Sequence, residues 1–233
     1  MPETGTKTPR ERYRTQVRAE IKERAWEQVA SAGASALSLN AIAKQMGMSG
    51  PALYRYFAGR DELITELIRD AYQSLADTLR AASDPGADLT AMAHALRRWA
   101  LDDPHRYFLD YGTPVPGYHA PDDVTTIASQ IMATLLDACA ALPSHGPATP
   151  FDTHIEAHRD WAADHPAPPA ALHRALTLWT RLHGILSLEL AGHFTGMGFD
   201  PALLFAVELD DLLASGDGLS APRVMPPSGP ADS

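Results

Sequence analysis

Apolar residues recur along this chain at helical spacing. Val17, Ile21, Ala25 and Val29 stand four apart, Trp26 widens their face, and Arg18, Lys22, Glu23 and Glu27 hold the other side. That spacing predicts a helix over residues 14–33, closed by Gly33. Ser38 sits at an N-cap position before Leu39, Ile42, Ala43 and Met46, a short helix that breaks at Gly47. Ser49 then caps a second short helix containing Leu53 and Phe57, with Pro51 in its first turn. After Ala58-Gly59, Asp61 opens a long helix to about Ala82, along Leu63, Ile64, Leu67, Ile68, Ala71, Leu75 and Leu79.

The same period continues downstream. Helices are predicted over 89–101, 121–142, roughly 151–163, 170–194 and 201–214, with a short aromatic segment at 104–111 and a turn-rich stretch at 112–117. No segment reads convincingly as a strand, so the expected fold class is all-α. Residues 217–233 carry four Pro, two Gly and no apolar period, and are expected to form a disordered tail.

Composition narrows the picture. The single cysteine, Cys139, excludes an internal disulfide and lies in an apolar helical stretch, where it is expected to pack as a small hydrophobe. Met1 to Arg14 is polar and basic, unlike a signal peptide, and no run of 18 apolar residues occurs. A cytoplasmic protein with no membrane partner is expected. The net charge of −10 taken alone argues against nucleic acid. Its distribution reverses that argument. Residues 1–60 hold ten basic and five acidic side chains, a local +5, which leaves −15 on the remainder. A basic head on an acidic body is the charge plan of a polyanion-binding domain joined to something else.

Ser38 to Phe57 is built like a helix-turn-helix. Ala43 is the small residue needed where two helices cross tightly, and Gly47 tolerates the positive φ of a sharp turn. Ile42, Met48 and Leu53 have the spacing to close a miniature core, which frees the first turn of the second helix to enter a major groove. Lys44, Tyr54, Tyr56 and Arg60 bring donors suited to backbone phosphates. Leu53 and Phe57 read as core. Tyr54 and Tyr56 lie two apart and cannot both face inward, so at least one is a surface donor.

Gly33, Leu39, Ile42-Ala43, Gly47, Ser49, Leu53-Tyr54, Tyr56-Phe57 and Arg60-Asp61-Glu62-Leu63 resemble the N-terminal signature of the TetR family of bacterial transcriptional regulators, over about residues 12–70. Tyr56 stands where His is frequent in that pattern, and Arg60 where Lys is usual. The resemblance implies phosphate contacts at Tyr54, Tyr56 and Arg60, with Ser49, Gly50, Pro51 and Ala52 nearest the bases. That set has no Asn, Gln or Arg for bidentate reading of a base edge. Sequence choice is therefore expected to lean on thymine methyls, Arg55, the basic arm Lys7 to Arg14, or DNA shape.

The same resemblance implies a homodimeric repressor on a palindromic double-stranded DNA operator, released by a small-molecule effector. It divides the chain into a DNA-binding head with its arm (1–60), a helical effector-binding and dimerisation body (61–216) and the tail (217–233). In the body, Leu172, Leu176, Trp179, Leu182, Leu186 and Leu190 form one apolar stripe, and Leu178, Ile185 and Leu188 a second. A helix apolar on two faces must be covered twice. The family's four-helix dimer bundle would supply the second cover, through Leu172, Leu176, Trp179, His183, Gly184, Leu186 and Leu190. The alternative is the central helix of a monomeric bundle. Trp179 with His183-Gly184, and the upstream stretch from Pro104 to Tyr118, are similar to the TetR subgroup with a Trp-His-Gly type C-terminal domain. Trp99, Tyr107, Phe108, Tyr111 and Met132 are candidates to line a cavity for an apolar or aromatic effector, with plain core as their alternative role.

Other chemistries are poorly represented. His154 and His158 stand at i, i+4 with His165 nearby, a spacing that could hold a metal ion. Without a cysteine or a third ligand at fixed spacing, solvated histidines are expected, and neither metal nor cofactor. No Gly-x-Ser-x-Gly, His-Glu-x-x-His or phosphate-cradling glycine loop is present, so an enzyme is not expected. The rival is a helical small-molecule-binding protein that does not touch DNA.

Overall fold

The computed structural model describes residues 8–83, 88–113, 115, 117–118, 121–143, 147–162 and 164–214. The expected tail and Lys7 of the basic arm lie outside them. Among the described residues every regular element is helical: α1 (Pro9–Ala32), α2 (Leu39–Gln45), α3 (Gly50–Leu53), α4 (Arg60–Ser83), α5 (Leu89–Asp102), α6 (Pro104–Tyr111), α7 (Asp122–Ala141), α8 (Pro150–Ala157), α9 (Pro169–Leu190) and α10 (Pro201–Ala214). Short 3-10 turns occur at Ala34–Ala36 and Asp160–Ala162. The fold class is all-α, as the periodicity predicts.

Four boundaries differ from expectation, each for a local reason. Helix α1 begins at Pro9 rather than residue 14, because Thr8 and Glu11 form a reciprocal capping box and Pro9 suits the first turn. Helix α3 is a single turn and leaves Phe57 beyond its end; Ser49 holds the N-cap position without a side-chain hydrogen bond. Helix α8 stops at Ala157, where His158 leaves helical φ/ψ and its Nδ1 lies 2.8 Å from the His154 carbonyl oxygen. Helix α9 ends at Leu190 rather than Phe194, because Gly192 turns into positive φ and the His193 amide donates to the Leu188 carbonyl (2.9 Å).

The chain forms two compact units, Met1–Thr134 and Leu135–Ser233. In the first, Val17, Ile21, Ala25 and Val29 of α1 meet Ile42, Ala43, Leu53, Phe57, Leu63, Ile64 and Leu67 in one buried cluster. Ile21, Ile42, Leu53 and Phe57 are completely buried, and each contributes about 1.5–3 kcal/mol by leaving water. This cluster makes the single-turn α3 stable where it could not hold by itself.

In the second unit, Leu172, Ala175, Leu182 and Leu186 of α9 are buried with Phe205 and Leu209 of α10. The Arg174 guanidinium donates to the carbonyls of Cys139 (2.8 Å) and Pro143 (2.9 Å), closing the end of α7. Cys139 is fully buried and burial pushes its thiol up to about 12, so it packs as expected. One segment, Val124–Ala141, is long and apolar enough to cross a membrane by length and composition. A third of it is buried, and within it Asp137 pairs with His165 at 3.1 Å.

Candidate nucleic-acid interface

Helices α2 and α3 meet through a turn that the sequence dictates. The Ser38 hydroxyl accepts from the Ala41 amide (3.3 Å), and the Ser38 amide in turn donates to Gln28 Oε1 (2.9 Å). Gly47 has φ of +65°, and the Met48 amide donates back to the Ala43 carbonyl at 2.8 Å. The apolar residues of both helices point into the cluster below. Lys44, Ser49, Pro51, Tyr54 and Arg55 are exposed, Gly50 and Ala52 half-buried beside them.

The two tyrosines divide as their spacing requires. Tyr54 is 48% exposed, whereas Tyr56 packs partly against the core. Arg60 is more committed than its motif position implies. Its Nη2 donates to the carbonyls of Ala34 (2.9 Å) and Ser35 (3.3 Å), and Nη1 lies 3.6 Å from Asp61. It therefore braces the 3-10 turn between α1 and α2.

Arg18 carries a role that the sequence pattern did not single out. From α1 its guanidinium donates to the Tyr56 carbonyl and lies 4.1 Å from the centre of the Phe57 ring. It also sits 3.7 Å from Glu62 and 3.5 Å from Glu66 of α4. Lys22, one turn on, reaches Asp70 at 2.5 Å. The chain beyond α3 is thus clamped between α1 and the first half of α4. The only sequence signal was a cation next to the apolar stripe of α1.

The same unit contains the aromatic residues proposed for a ligand. Trp99 and Tyr107 are buried, while Phe108, Tyr111 and Met132 are half-buried. Tyr107 meets Phe108 (5.6 Å) and Tyr111 (5.4 Å), and Tyr111 meets Tyr72 of α4 edge-on at 5.8 Å. Trp99 Nε1 donates to Ser74 Oγ (3.1 Å), which also accepts from Arg106 (3.2 Å). Tyr72, Ser74, Arg106 and Asp110 were not singled out in the sequence, since nothing in their spacing brings α4 and α6 together. Burial pushes the Asp110 carboxyl up to about 8, against the lowering influence of Arg106, and lifts Tyr72 to about 12.

The residues expected at a dimer face do not share one environment. Leu172 and Leu186, both expected at the dimer face, are fully buried within their own chain. Leu176, Trp179, His183 and Leu190 are half-buried, and Gly184 is exposed. The Trp179 and His183 rings lie 4.1 Å apart, and burial lowers the imidazole to about 4. The open apolar positions of α9 and α10 are Leu188, Leu203 and Val207, with Met197 and Phe199 between the helices. The His154 and His158 rings stack at 4.3 Å, and no group of three or more metal-ligating side chains occurs among the described residues.

Comparison with known proteins agrees with this geometry. Residues 21–67 match the family described as bacterial regulatory proteins, tetR family. Residues 89–212 match that described as tetracyclin repressor-like, C-terminal domain. An HTH-type transcriptional regulator of Mycobacterium bovis is 38% identical over 217 residues, covering 86% of this chain and 92% of the relative. The crystal structure of a protein described as regulatory, SCO4313, is 73% identical, with a TM-score of 0.83 over 89% of this chain and 100% of that one. A tetR family regulatory protein from Rhodococcus RHA1, 20% identical over 85% of this chain and 96% of its own, shares the fold with a TM-score of 0.55.

Proposed function

Because the chain belongs to the TetR family of bacterial regulators, we propose that it is a cytoplasmic, ligand-responsive repressor that binds a palindromic operator as a homodimer. The observation that carries this reading is the exposed row Lys44, Ser49, Pro51, Tyr54 and Arg55, held over a fully buried core by α2 and α3. Lys44, Tyr54, Tyr56 and Arg60 would meet phosphates, Arg60 while bracing the turn beneath it. Ser49, Gly50, Pro51 and Ala52 would lie nearest the bases, with Arg55 beside them.

The division of labour proposed is a head over 1–60, an effector and dimer body over 61–216 and the tail beyond. Helix α4 joins them. Arg18 grips it at Glu62, while Trp99 and Arg106 grip it at Ser74, about 18 Å further along the helix axis. An effector bound among Trp99, Tyr107, Phe108, Tyr111 and Met132 would favour one setting of α4 and so one position of the head. Half-sites one helical turn apart tolerate only a matching separation of the two heads. For the dimer, the exposed positions Gly184, Leu188, Leu203 and Val207 replace the buried Leu172 and Leu186, with Leu176, Trp179, His183 and Leu190 alongside. The narrower likeness to the Trp-His-Gly type of body rests on Trp179, His183 and Gly184.

Binding to the DNA upstream of its own gene, followed by fluorescence anisotropy from about 50 to about 200 mM salt, tests the reading. Affinity should fall steeply with salt. Tyr54→Phe and Lys44→Ala should weaken binding across sequences, Lys44→Ala lowering the salt slope of the dimer by about two, one for each head. A wild-type protein without salt-dependent DNA binding would instead be a helical small-molecule binder.

A further inference from the structure

Among the described residues, one carboxylate stands without a hydrogen-bond partner in the middle of the aromatic cluster. Both oxygens of Asp110 are inaccessible to solvent and accept no hydrogen bond among the described residues. Its natural intrahelical partner, Arg106 at i−4, acts on it by charge alone, with both Nη atoms directed elsewhere. That guanidinium donates to Ser74 Oγ (3.2 Å) and to the Trp99 carbonyl (3.4 Å), and lies over the Trp99 ring at 4.8 Å. Trp99 Nε1 donates to Ser74, and the hydroxyls of Tyr118 and Thr65 share one hydrogen bond at 3.1 Å. Tyr72 and Tyr111, edge to face at 5.8 Å, both feel the Asp110 charge.

A buried carboxylate without donors must either take a proton or be met by a cation. Aromatic faces beside a carboxylate favour the cation, since ring quadrupole and negative charge attract the same group. We propose that Asp110 anchors an effector site for organic cations, with the ammonium seated on its carboxylate and flanked by the rings of Tyr72 and Tyr111. This rests on the reading of the chain as an effector-responsive regulator, and replaces a merely apolar or aromatic effector by a positively charged one.

Protonation then competes with the ligand. The titratable or charged groups acting on Asp110 are Arg106 from its own helix, Tyr72 from α4 and Tyr111; from α5 the residue packed against Arg106 is the uncharged Trp99. With the carboxyl held at about 8, a cation of fixed charge should bind about tenfold more tightly at pH 9 than at pH 7.

The test uses the full chain with permanently charged probes, benzyltrimethylammonium and tetraphenylphosphonium, and neopentylbenzene as neutral isostere of the first. Calorimetry should show cation binding that strengthens with pH, while the neutral probe shows no such trend. Asp110→Asn should weaken cation binding about a hundredfold and abolish its pH dependence. Tyr72→Leu, a second variant that leaves the carboxylate in place, should weaken the cations about fivefold and spare the neutral probe. Failure of both cations to bind, or equal binding by wild type and Asp110→Asn, overturns the proposal. Operator binding measured on the same samples separates the two readings. Salt-dependent DNA binding with no cation response strikes the site and leaves the regulator; Asp110-dependent cation binding without DNA binding does the reverse.

Discussion

Replacing Arg18 by Met keeps the aliphatic stem that packs beside Phe57 and removes the charged fork. The fork makes one hydrogen bond to the Tyr56 carbonyl, one cation–π contact with Phe57 and two ion pairs, to Glu62 and Glu66. A hydrogen bond from a charged donor contributes about 1.5–3 kcal/mol and the ring contact about 0.5–1 kcal/mol. The ion pairs, at side chains partly open to water, contribute about 0–1 kcal/mol each. These contacts share one guanidinium and do not add, so about 2 kcal/mol is the expected net loss. In a chain of this length that lowers the melting temperature by about 4–8 °C. If the whole loss falls on the head, operator affinity drops by at most about thirtyfold per head, about a thousandfold for the two heads of a dimer. Arg18 touches protein rather than phosphate, so the slope of log affinity against log salt should not change. Differential scanning calorimetry and anisotropy titrations at several salt concentrations measure both quantities. An unaltered melting temperature with unaltered affinity would refute the clamp; a slope reduced by about two, one for each head, would make Arg18 a phosphate contact instead.

Gly47→Ala places an L-residue at φ +65° where its Cβ meets nothing within 4 Å, so the cost is all backbone, about 1–2 kcal/mol, visible as a lower urea midpoint. Asp152 is buried; burial pushes its carboxyl up, but the Thr149 amide and hydroxyl and the His173 ring (2.8 Å) together hold it below the ordinary carboxylate value. A carboxyl depressed on folding contributes stability that is present above its unfolded pKa of about 3.9 and is lost as pH falls through the folded value. Urea midpoints should therefore fall between about pH 5 and pH 3 more steeply in wild type than in Asp152→Asn; parallel profiles would contradict this. Leu203→Glu, combined with Val207→Glu, should shift the protein from dimer to monomer in sedimentation velocity. A dimer that persists would place the interface elsewhere.

Local chemistry made most of the fold legible. The i, i+4 stripe of α1, the Ser38 cap and the Gly47 turn each depend on residues a few positions apart, and each appears in the structure where the sequence places it. Boundaries slipped where the deciding group lay just outside the apolar pattern, as Thr8 does for α1 and Gly192 for α9. The exposed row on α2 and α3 was equally readable, because a buried Leu53 and Phe57 oblige Tyr54 and Arg55 to face outward. The dimer stripe was less readable: a helix with two apolar faces does not reveal which one its own chain covers. Packing of α9 within its own chain decided that, burying Leu186 and leaving Leu188 open.

The sequence by itself determined an all-α chain with a helix-turn-helix near its start, since helical period, caps and glycine turns are properties of short segments. Only the tertiary structure decided what surrounds Arg18, Arg60 and Asp110. Each depends on partners more than twenty residues away, or on the absence of one. Burial, which sets the worth of a charge through its lost hydration, exists only once distant segments have met.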